Sequence, residues 1–251
     1  MHILLTNDDG VRADGLRALC AGFVGAGHRV SVCAPDRERS AASHSVTLKK
    51  PLRAEPVDFP GAERAWQVDG TPADCASLGL WLTREDPVDL VVAGINYGMN
   101  LGAACVYSGT VGAAMEASMC GAPALAVSLC VDGWDAPADF APAARLAVRV
   151  AEWAAARPLP MGCLYNLNVP PIPYEAIRGL APGRLAPVFM GAPSYRPVEA
   201  DTYRFEFNAP VSLEVPEADA SLIGQGYATI TRLTWDCRLN APEDDLRDIG
   251  M

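Results

Sequence analysis

The segment His2-Ile3-Leu4-Leu5-Thr6-Asn7-Asp8-Asp9-Gly10 sets the expected architecture of this chain. Its apolar half is typical of a buried first strand, and a polar turn follows at once. Adjacent carboxylates in that turn repel each other and are costly to desolvate unless a cation or hydrogen-bond donors compensate them. Ligands of open α/β sheets bind beyond the carboxyl ends of the strands, so Asp8 and Asp9 predict a metal site there. The alternative is a solvated turn that caps the next helix.

Strands and helices alternate downstream of this segment. Asp14 is a candidate N-cap for a helix with the predicted core set Leu16, Leu19, Cys20, Phe23 and Val24. The following predicted elements are a strand at 30–34, a helix capped by Thr71, a strand at 88–93 ending at Gly94, a helix from near Thr110 with Val111, Ala114, Met115 and Met119 toward the core, a strand at 124–129, a helix at 140–156 and a strand at 163–170. This alternation predicts a doubly wound α/β sheet.

The character of the chain changes beyond Pro171. Prolines and glycines become frequent, helical periodicity weakens, and residues 203–207 and 227–231 alternate as strands do. We therefore expect one α/β domain over residues 1–251, with a β-rich appendage and C-terminal arm over about 172–251.

Composition excludes several classes of function. The net charge of −10 and the pI near 4.7 argue against a nucleic-acid polymer or an anionic membrane as partner. No apolar run reaches the roughly 18 residues of a membrane span, and the expected location is cytoplasmic. The eight cysteines are scattered without paired spacing, which predicts reduced core residues rather than disulfides or zinc ligands.

Oxygen-bearing residues follow three predicted strands at one edge of the sheet. Asp8 and Asp9 follow the first strand, Ser40 the second, and Asn96 the strand at 88–93. Two carboxylates, a hydroxyl and an amide oxygen suit Mg²⁺ or Mn²⁺, which prefer oxygen ligands and retain several waters. Taken singly, Ser40 and Asn96 can also be ordinary turn residues.

The residues near the start of the helix at Thr110 resemble an anion cradle. Asn100 and Gly102 precede the run Tyr107-Ser108-Gly109-Thr110. Backbone N–H groups of Gly109, the hydroxyls of Ser108 and Thr110, and the helix N-terminus can bind phosphate oxygens. The run lacks the lysine of a Walker loop and the GxGxxG pattern, so the triphosphatase and dinucleotide hypotheses are weak. A glycine-eased helix entry is the structural alternative.

Five stretches in register resemble the SurE family, the stationary-phase survival proteins. They are Thr6–Gly10, Ala34–Ser40, Gly70–Cys75, Gly94–Gly102 and Tyr107–Ala114, and the resemblance resumes at 166–170 and 226–231. The resemblance implies a three-layer αβα, Rossmann-like mixed sheet with a C-terminal β-rich oligomerisation arm. It also implies a metal-dependent phosphatase for nucleoside 5′-monophosphates, and in some members for 3′-monophosphates or short polyphosphate.

The family's functional residues map onto this sequence. Asp8, Asp9, Ser40 and Asn96 correspond to the ligands of one divalent cation per subunit, and we expect Asn100, Ser108, Gly109 and Thr110 to bind the phosphate. Similar proteins are homodimers or homotetramers that exchange the C-terminal arm. Two departures stand out: Ala104 replaces an aspartate, and Thr234 replaces a histidine.

The predicted reaction is attack on a phosphate monoester by a metal-activated water, with Asp8 and Asp9 as catalytic residues. An aspartyl-phosphate intermediate is disfavoured because metal-bound carboxylates are poorer nucleophiles. One rival is a catalytically weakened phosphate- or nucleotide-binding module with the same pocket, as Ala104 suggests. Another is a nucleotide-sugar transferase, which requires a second glycine-rich domain that the sequence does not show.

Overall fold

Strands and helices alternate along the chain in the computed structural model, which describes residues 1–131, 133, 136–157, 159–186, 194–206 and 215–235. The strands are β1 (His2–Thr6), β2 (Arg29–Pro35), β3 (Ala54–Pro56), β4 (Arg64–Val68), β5 (Leu90–Tyr97), β6 (Ala124–Leu129), β7 (Cys163–Val169), β8 (Leu180–Pro182), β9 (Ser194–Glu199), β10 (Thr202–Glu206) and β11 (Ala228–Thr234). The α-helices are α1 (Asp14–Gly25), α2 (Pro72–Leu82), α3 (Gly109–Met119), α4 (Ala141–Ala155) and α5 (Asp219–Gly224), and short 3-10 helices span Gly102–Val106 and Tyr174–Ala176.

One mixed sheet organises the molecule. Its order is β3-β4-β2-β1-β5-β6-β7-β11-β8, and the six strands from β4 to β7 run parallel. Strands β3 and β11 run antiparallel to their neighbours β4 and β7. Because the chain leaves β1 toward β2 on one side and later returns to β5 on the other, the strand order reverses between β1 and β5. Such a switch point opens a crevice at the carboxyl ends of the strands.

Helices cover both faces of the sheet. On one face, α1 and α4 pack together over a buried set that includes Leu16, Phe23 and Leu146. On the other face, α2 and α3 pack together over a set that includes Cys75 and Val111. Each large apolar side chain buried in this way stabilises the fold by about 1.5–3 kcal/mol. The prediction of a three-layer α/β fold is confirmed.

Local sequence signals place several elements where they were expected. The Thr71 side chain accepts the Asp74 N–H and the Asp74 side chain accepts the Thr71 N–H, a capping box that starts α2. Strand β6 has the predicted bounds, and it is buried along its whole length as a central parallel strand should be.

Some helix predictions are wrong at helix ends. Val24 and Met119 were expected in the core, but they are 39% and 50% exposed. Both lie in the last turn of a helix. Ala13 rather than Asp14 holds the N-cap position of α1.

The predicted end of the fifth strand is also wrong. Strand β5 does not stop at Gly94 but continues to Tyr97, with a register shift against β6 between Ala93 and Asn96. A Cβ at Gly94 would lie 2.3 Å from the Val127 carbonyl oxygen. Glycine therefore lets β5 approach β6 and continue, and Asn96 lies on a strand rather than in a loop.

In the part of the chain that the structure describes, no disulfide joins two cysteines. Buried cysteines are Cys20, Cys33, Cys75, Cys105 and Cys130, as predicted. Cys163 is half-buried, Cys120 is exposed contrary to the prediction, and Cys237 lies outside the described residues. Among the described residues, no helix has the length and apolarity needed to cross a membrane.

The β-rich appendage contributes to two sheets. Strands β8 and β11 extend the main sheet, whereas β9 and β10 form a separate antiparallel hairpin. The predicted strands at 203–207 and 227–231 correspond to β10 and β11, with Phe207 outside the described residues. Residues 236–251 of the predicted C-terminal arm also lie outside them.

Candidate active site

The predicted oxygen ligands lie at the switch point of the sheet. Asp8 and Asp9 follow β1, and Ser40 follows β2. Asn96 is the second-to-last residue of β5. These strands are neighbours in the order β2-β1-β5, and all three run parallel. Segments 80 or more residues apart in sequence are thus brought to one edge, as Asp9 and Tyr97 illustrate with a separation of 88 residues.

Asp8 is a buried carboxylate held by the start of α3. Its Oδ1 accepts the Thr110 hydroxyl, and the Thr110 backbone N–H also donates to this carboxylate. A Cβ at Gly109 would lie 2.9 Å from the Asp8 Cβ and 3.0 Å from its Oδ2. Glycine at position 109 is therefore what allows the helix to approach the carboxylate so closely.

Asp9 is half-buried and faces β5. Its Oδ2 accepts the Tyr97 backbone N–H at 3.2 Å. Burial, and then the neighbouring charge of Asp8, raises the pKa of Asp9 to about 7, and burial raises the pKa of Asp8 despite its hydrogen bonds from Thr110. Throughout the described residues, neither carboxylate has an ion-pair partner, so no basic side chain compensates the pair when it is ionised.

The segment that follows β2 lies beside Asp8. The Arg39 N–H donates to the Asp8 carbonyl oxygen at 2.7 Å, which fixes the position of Ser40 next to it in the chain. Ser40 is exposed, and its hydroxyl donates to Glu38 at 2.5 Å. Nearby cations do not neutralise the aspartates, because Arg37 and Arg39 pair with Asp36 instead.

Asn96 presents its amide near the same edge. Its Nδ2 donates to the Gly98 carbonyl oxygen at 2.8 Å, a bond that is possible because Gly98 adopts a φ of +117°. With the nitrogen used in this way, the amide oxygen is the Asn96 atom suited to a cation. Two carboxylates of raised pKa together with hydroxyl and amide oxygens fit a hard divalent cation.

The residues predicted to bind phosphate have other structural partners as well. Ser108 is the N-cap of α3, and its oxygen accepts the Val111 N–H at 3.1 Å, which leaves its hydroxyl hydrogen to donate. The Thr110 donors are directed at Asp8, so part of the predicted anion cradle binds a carboxylate of the protein itself.

Asn100 lies in a buried amide network below this loop. Its Nδ2 donates to the Ser128 hydroxyl at 2.8 Å, and its carbonyl oxygen accepts the side-chain amides of Asn166 and Asn168. Its N–H donates in turn to Asn168. The structure thus gives Asn100 a scaffold role, and its contact with phosphate stays a prediction.

Two sets of supporting residues escaped sequence reasoning. His44 Nε2 lies 2.7 Å from Glu116 Oε2, which fastens the segment after Ser40 to α3. The two residues are 72 positions apart in sequence, so no local sequence pattern predicts their contact. Asn166 and Asn168 did leave one, since two amides on the same face of an otherwise apolar strand are unusual.

A second acidic group lies at the amino ends of the same strands. Ligand-type atoms of His2, Glu63 and Asp86 lie within 4.8 Å of one another. Arg29 occupies this group, with hydrogen bonds of 2.5–3.2 Å to both carboxylates, and Arg64 approaches Asp86 at 3.4 Å. Two guanidinium groups already balance the two carboxylates, so this group is an ion-pair network rather than a fit for a cation.

Comparison with known proteins identifies the family. The model of the survival protein SurE family matches residues 3–189. Relatives named 5′-nucleotidase SurE from Synechococcus sp. (strain JA-3-3Ab) and Nostoc sp. (strain PCC 7120) are 41% and 39% identical, covering 100% and 99% of this chain and 98% of each relative. The crystal structure of the SurE protein from Aquifex aeolicus superposes with a TM-score of 0.84 at 30% identity, covering 99% of both chains. The predicted resemblance is confirmed, and the chain belongs to the SurE family.

Proposed function

We propose that this chain is a divalent-metal-dependent 5′-nucleotidase, a phosphatase that hydrolyses nucleoside 5′-monophosphates. The 3′-monophosphates and short polyphosphate are further candidate substrates. The observation that carries the proposal is the Asp8 and Asp9 pair, which lies at the sheet switch point with raised pKa values and beside a helix N-terminus. The nucleotidase name of the relatives supports the class of reaction.

Asp8, Asp9, Ser40 and Asn96 would hold one Mg²⁺ or Mn²⁺ ion. When bound, that ion supplies Lewis-acid polarisation of a phosphoryl oxygen and lowers the pKa of a water molecule. The raised pKa values of the two aspartates fit this role, because a nearby cation relieves both their repulsion and their desolvation.

The chain's own groups fix the geometry of the ligands. The Thr110 hydroxyl and N–H hold the Asp8 carboxylate, and the Tyr97 N–H holds Asp9. These bonds keep the carboxylates in place before substrate arrives, so little reorganisation is needed during the reaction.

Phosphate would bind beside the aspartates, at the N-terminus of α3. Ser108 can donate its hydroxyl hydrogen, and the partial positive charge of the α3 N-terminus favours an anion there. The space that a Gly109 side chain would fill is taken by Asp8, so Gly109 would contribute to phosphate binding through its backbone N–H group. As the P–O bond breaks, these donors stabilise the charge that develops on the phosphoryl group.

Phosphate release from nucleoside monophosphates in the presence of Mn²⁺ tests the proposal. We expect turnover by the parent protein, loss of turnover with EDTA, and loss in an Asp9→Asn variant that still folds. A screen across 5′-monophosphates, 3′-monophosphates and short polyphosphate ranks the substrates. Nucleotide binding without turnover by the parent would refute the proposal and favour the weakened binding module.

We also propose that the protein forms a homodimer or homotetramer through its β-rich appendage. The β9–β10 hairpin exposes Tyr195 and Tyr203, each 62% accessible. A two-stranded hairpin is only marginally stable alone in water, so packing against a second copy suits it. Light scattering after size-exclusion chromatography should give the molar mass of a dimer or tetramer. The double variant Tyr195→Ser, Tyr203→Ser should have a lower molar mass than the parent. A monomeric parent would contradict this.

A further inference from the structure

Asp219 is a fully buried carboxylate in the appendage, far in sequence from the candidate active site. It is the first residue of α5 and has no solvent exposure. Its Oδ2 accepts the Gly102 N–H at 2.8 Å across a separation of 117 residues. Its Oδ1 accepts the N–H groups of Ala186 at 3.0 Å and Ala220 at 2.8 Å.

The Gly102 contact lies at the base of the segment that leads to Ser108. We call residues 102–110 the Ser108 loop. Its first part is the 3-10 helix Gly102–Val106, whose turns are fixed by the bonds Ala104 N–H to Leu101 and Tyr107 N–H to Ala104, both 3.0 Å. Because this connection is short and internally bonded, a shift at Gly102 is transmitted to Ser108 and to the start of α3.

Asp219 holds the Ser108 loop with a hydrogen bond that is stronger than one between neutral groups. Hydrogen bonds to a carboxylate are roughly twice as strong as those between neutral groups. The buried charge also needs its three N–H donors, since an unpaired buried carboxylate is costly. Moving Gly102 away would therefore leave the charge under-compensated, which makes the position of the loop well defined.

We propose that Asp219 is a positioning residue that sets the Ser108 loop for phosphate binding. This inference rests on the proposed phosphatase function. It assigns to the appendage an indirect influence on the reaction, because the same carboxylate also holds Ala186, which lies after β8. Asp219 acts on substrate only through Gly102 and the loop, so its loss should affect phosphate affinity more than cation affinity.

The test compares Asp219→Ala and Asp219→Asn with the parent protein. Steady-state kinetics with a nucleoside 5′-monophosphate give kcat and KM, inorganic phosphate as inhibitor gives its own constant, and calorimetry gives Mn²⁺ affinity. We expect KM and the phosphate inhibition constant to rise about tenfold or more in the alanine variant, since small misplacements of binding groups are costly. Mn²⁺ affinity should stay at the parental value. The asparagine variant, which retains one acceptor oxygen, should lie in between.

Leu146→Ala is the matched control for stability. Leu146 is 3% exposed, belongs to the core on the α1 and α4 face, and lies on the opposite side of the sheet from α3. It should lower the melting temperature and leave KM and phosphate inhibition unchanged. If Asp219→Ala does not fold, Asp219→Asn carries the test.

Two failures can be told apart. A parent protein without turnover refutes the proposed function itself. If the parent is active, either of two results refutes the positioning role. One is parental KM and phosphate inhibition in the Asp219 variants, and the other is a change of both constants in Leu146→Ala as large as in Asp219→Ala.

Discussion

Two pairs of carboxylates lie at opposite ends of the same parallel strands, and their electrostatics are opposite. At the amino ends, hydrogen bonds from Arg29 lower the pKa values of Glu63 and Asp86. At the carboxyl ends, burial raises the pKa values of Asp8 and Asp9. Arg29 supplies the counter-charge of the first pair, whereas the second pair has no basic partner among the described residues, and we propose that a cation from solution supplies it. Clustering of acids alone therefore does not identify a metal site, and the lack of a basic partner is what distinguishes the pair that we propose as cation ligands.

The largest expected effect comes from removing one carboxylate of the second pair. Asp9→Asn should lower phosphatase activity by about a thousandfold, or ~4 kcal/mol of transition-state stabilisation, because the metal ligand set is broken. Its melting temperature in EDTA should equal or exceed that of the parent, since the repulsion with Asp8 is gone. Initial rates at saturating Mn²⁺ measure the first effect. Activity within tenfold of the parent would contradict the assigned role.

The metal-free protein should lose stability as pH rises. With a folded-state pKa of about 7 against an ordinary value of 3.8, folded Asp9 binds more protons than unfolded Asp9 in that window. The free energy of unfolding should therefore fall between pH 4 and pH 7, by at most ~4 kcal/mol. Denaturant unfolding in EDTA at several pH values measures this decline in the free energy of unfolding. The decline should be smaller for Asp9→Asn, and smaller for the parent when excess Mn²⁺ replaces EDTA. A decline equal in parent and Asp9→Asn would contradict it.

A smaller effect should follow from the residue that holds Asp8. Thr110→Val keeps the side-chain size but removes the hydroxyl that donates to the Asp8 carboxylate. Partners that orient metal ligands typically contribute 10–100-fold to metal affinity, so Mn²⁺ affinity should fall by about that factor. Thr110→Ser is the control, because it retains the hydroxyl. Equal affinities for the valine and serine variants would show that this bond does not position the ligand.

The smallest effect is expected at the opposite end of the strands. Glu63→Gln weakens the contact with Arg29, but both side chains are about half exposed, and exposed ion pairs contribute little. The melting temperature should fall slightly and kcat should stay within about twofold of the parent. A large loss of metal-dependent activity in this variant would move the cation site to the amino ends of the strands.

The sequence predicted the fold well where the signal is local. The start of strand β6 was predicted because Gly121 and Pro123 end the preceding helix and a mostly apolar run follows directly. The start of α2 was predicted from the capping residues Thr71 and Asp74. The exposure of Val24 and Met119 was not predicted, because helical spacing does not tell how far along a helix its inner face stays covered.

The sequence predicted that the candidate ligands lie at one edge of the sheet, but it did not predict the contacts that support them. Asp8, Asp9 and Ser40 follow strands that are recognisable from their apolar runs, Asn96 lies near the end of another, and parallel strands bring their carboxyl ends to one edge. The Thr110 bond to Asp8 and the Asp219 bond to Gly102 join residues more than 100 positions apart. Such contacts are set by tertiary packing, which leaves no periodic pattern in the chain.

Calorimetric titration of Mn²⁺ into three proteins tests the central claim most directly: the parent, Asp9→Asn and Glu63→Gln. We predict one ion per chain for the parent, the same stoichiometry and affinity for Glu63→Gln, and no measurable binding for Asp9→Asn. Retention of parental binding by Asp9→Asn, or its loss in Glu63→Gln, would contradict the assignment of the cation to the Asp8 and Asp9 pair.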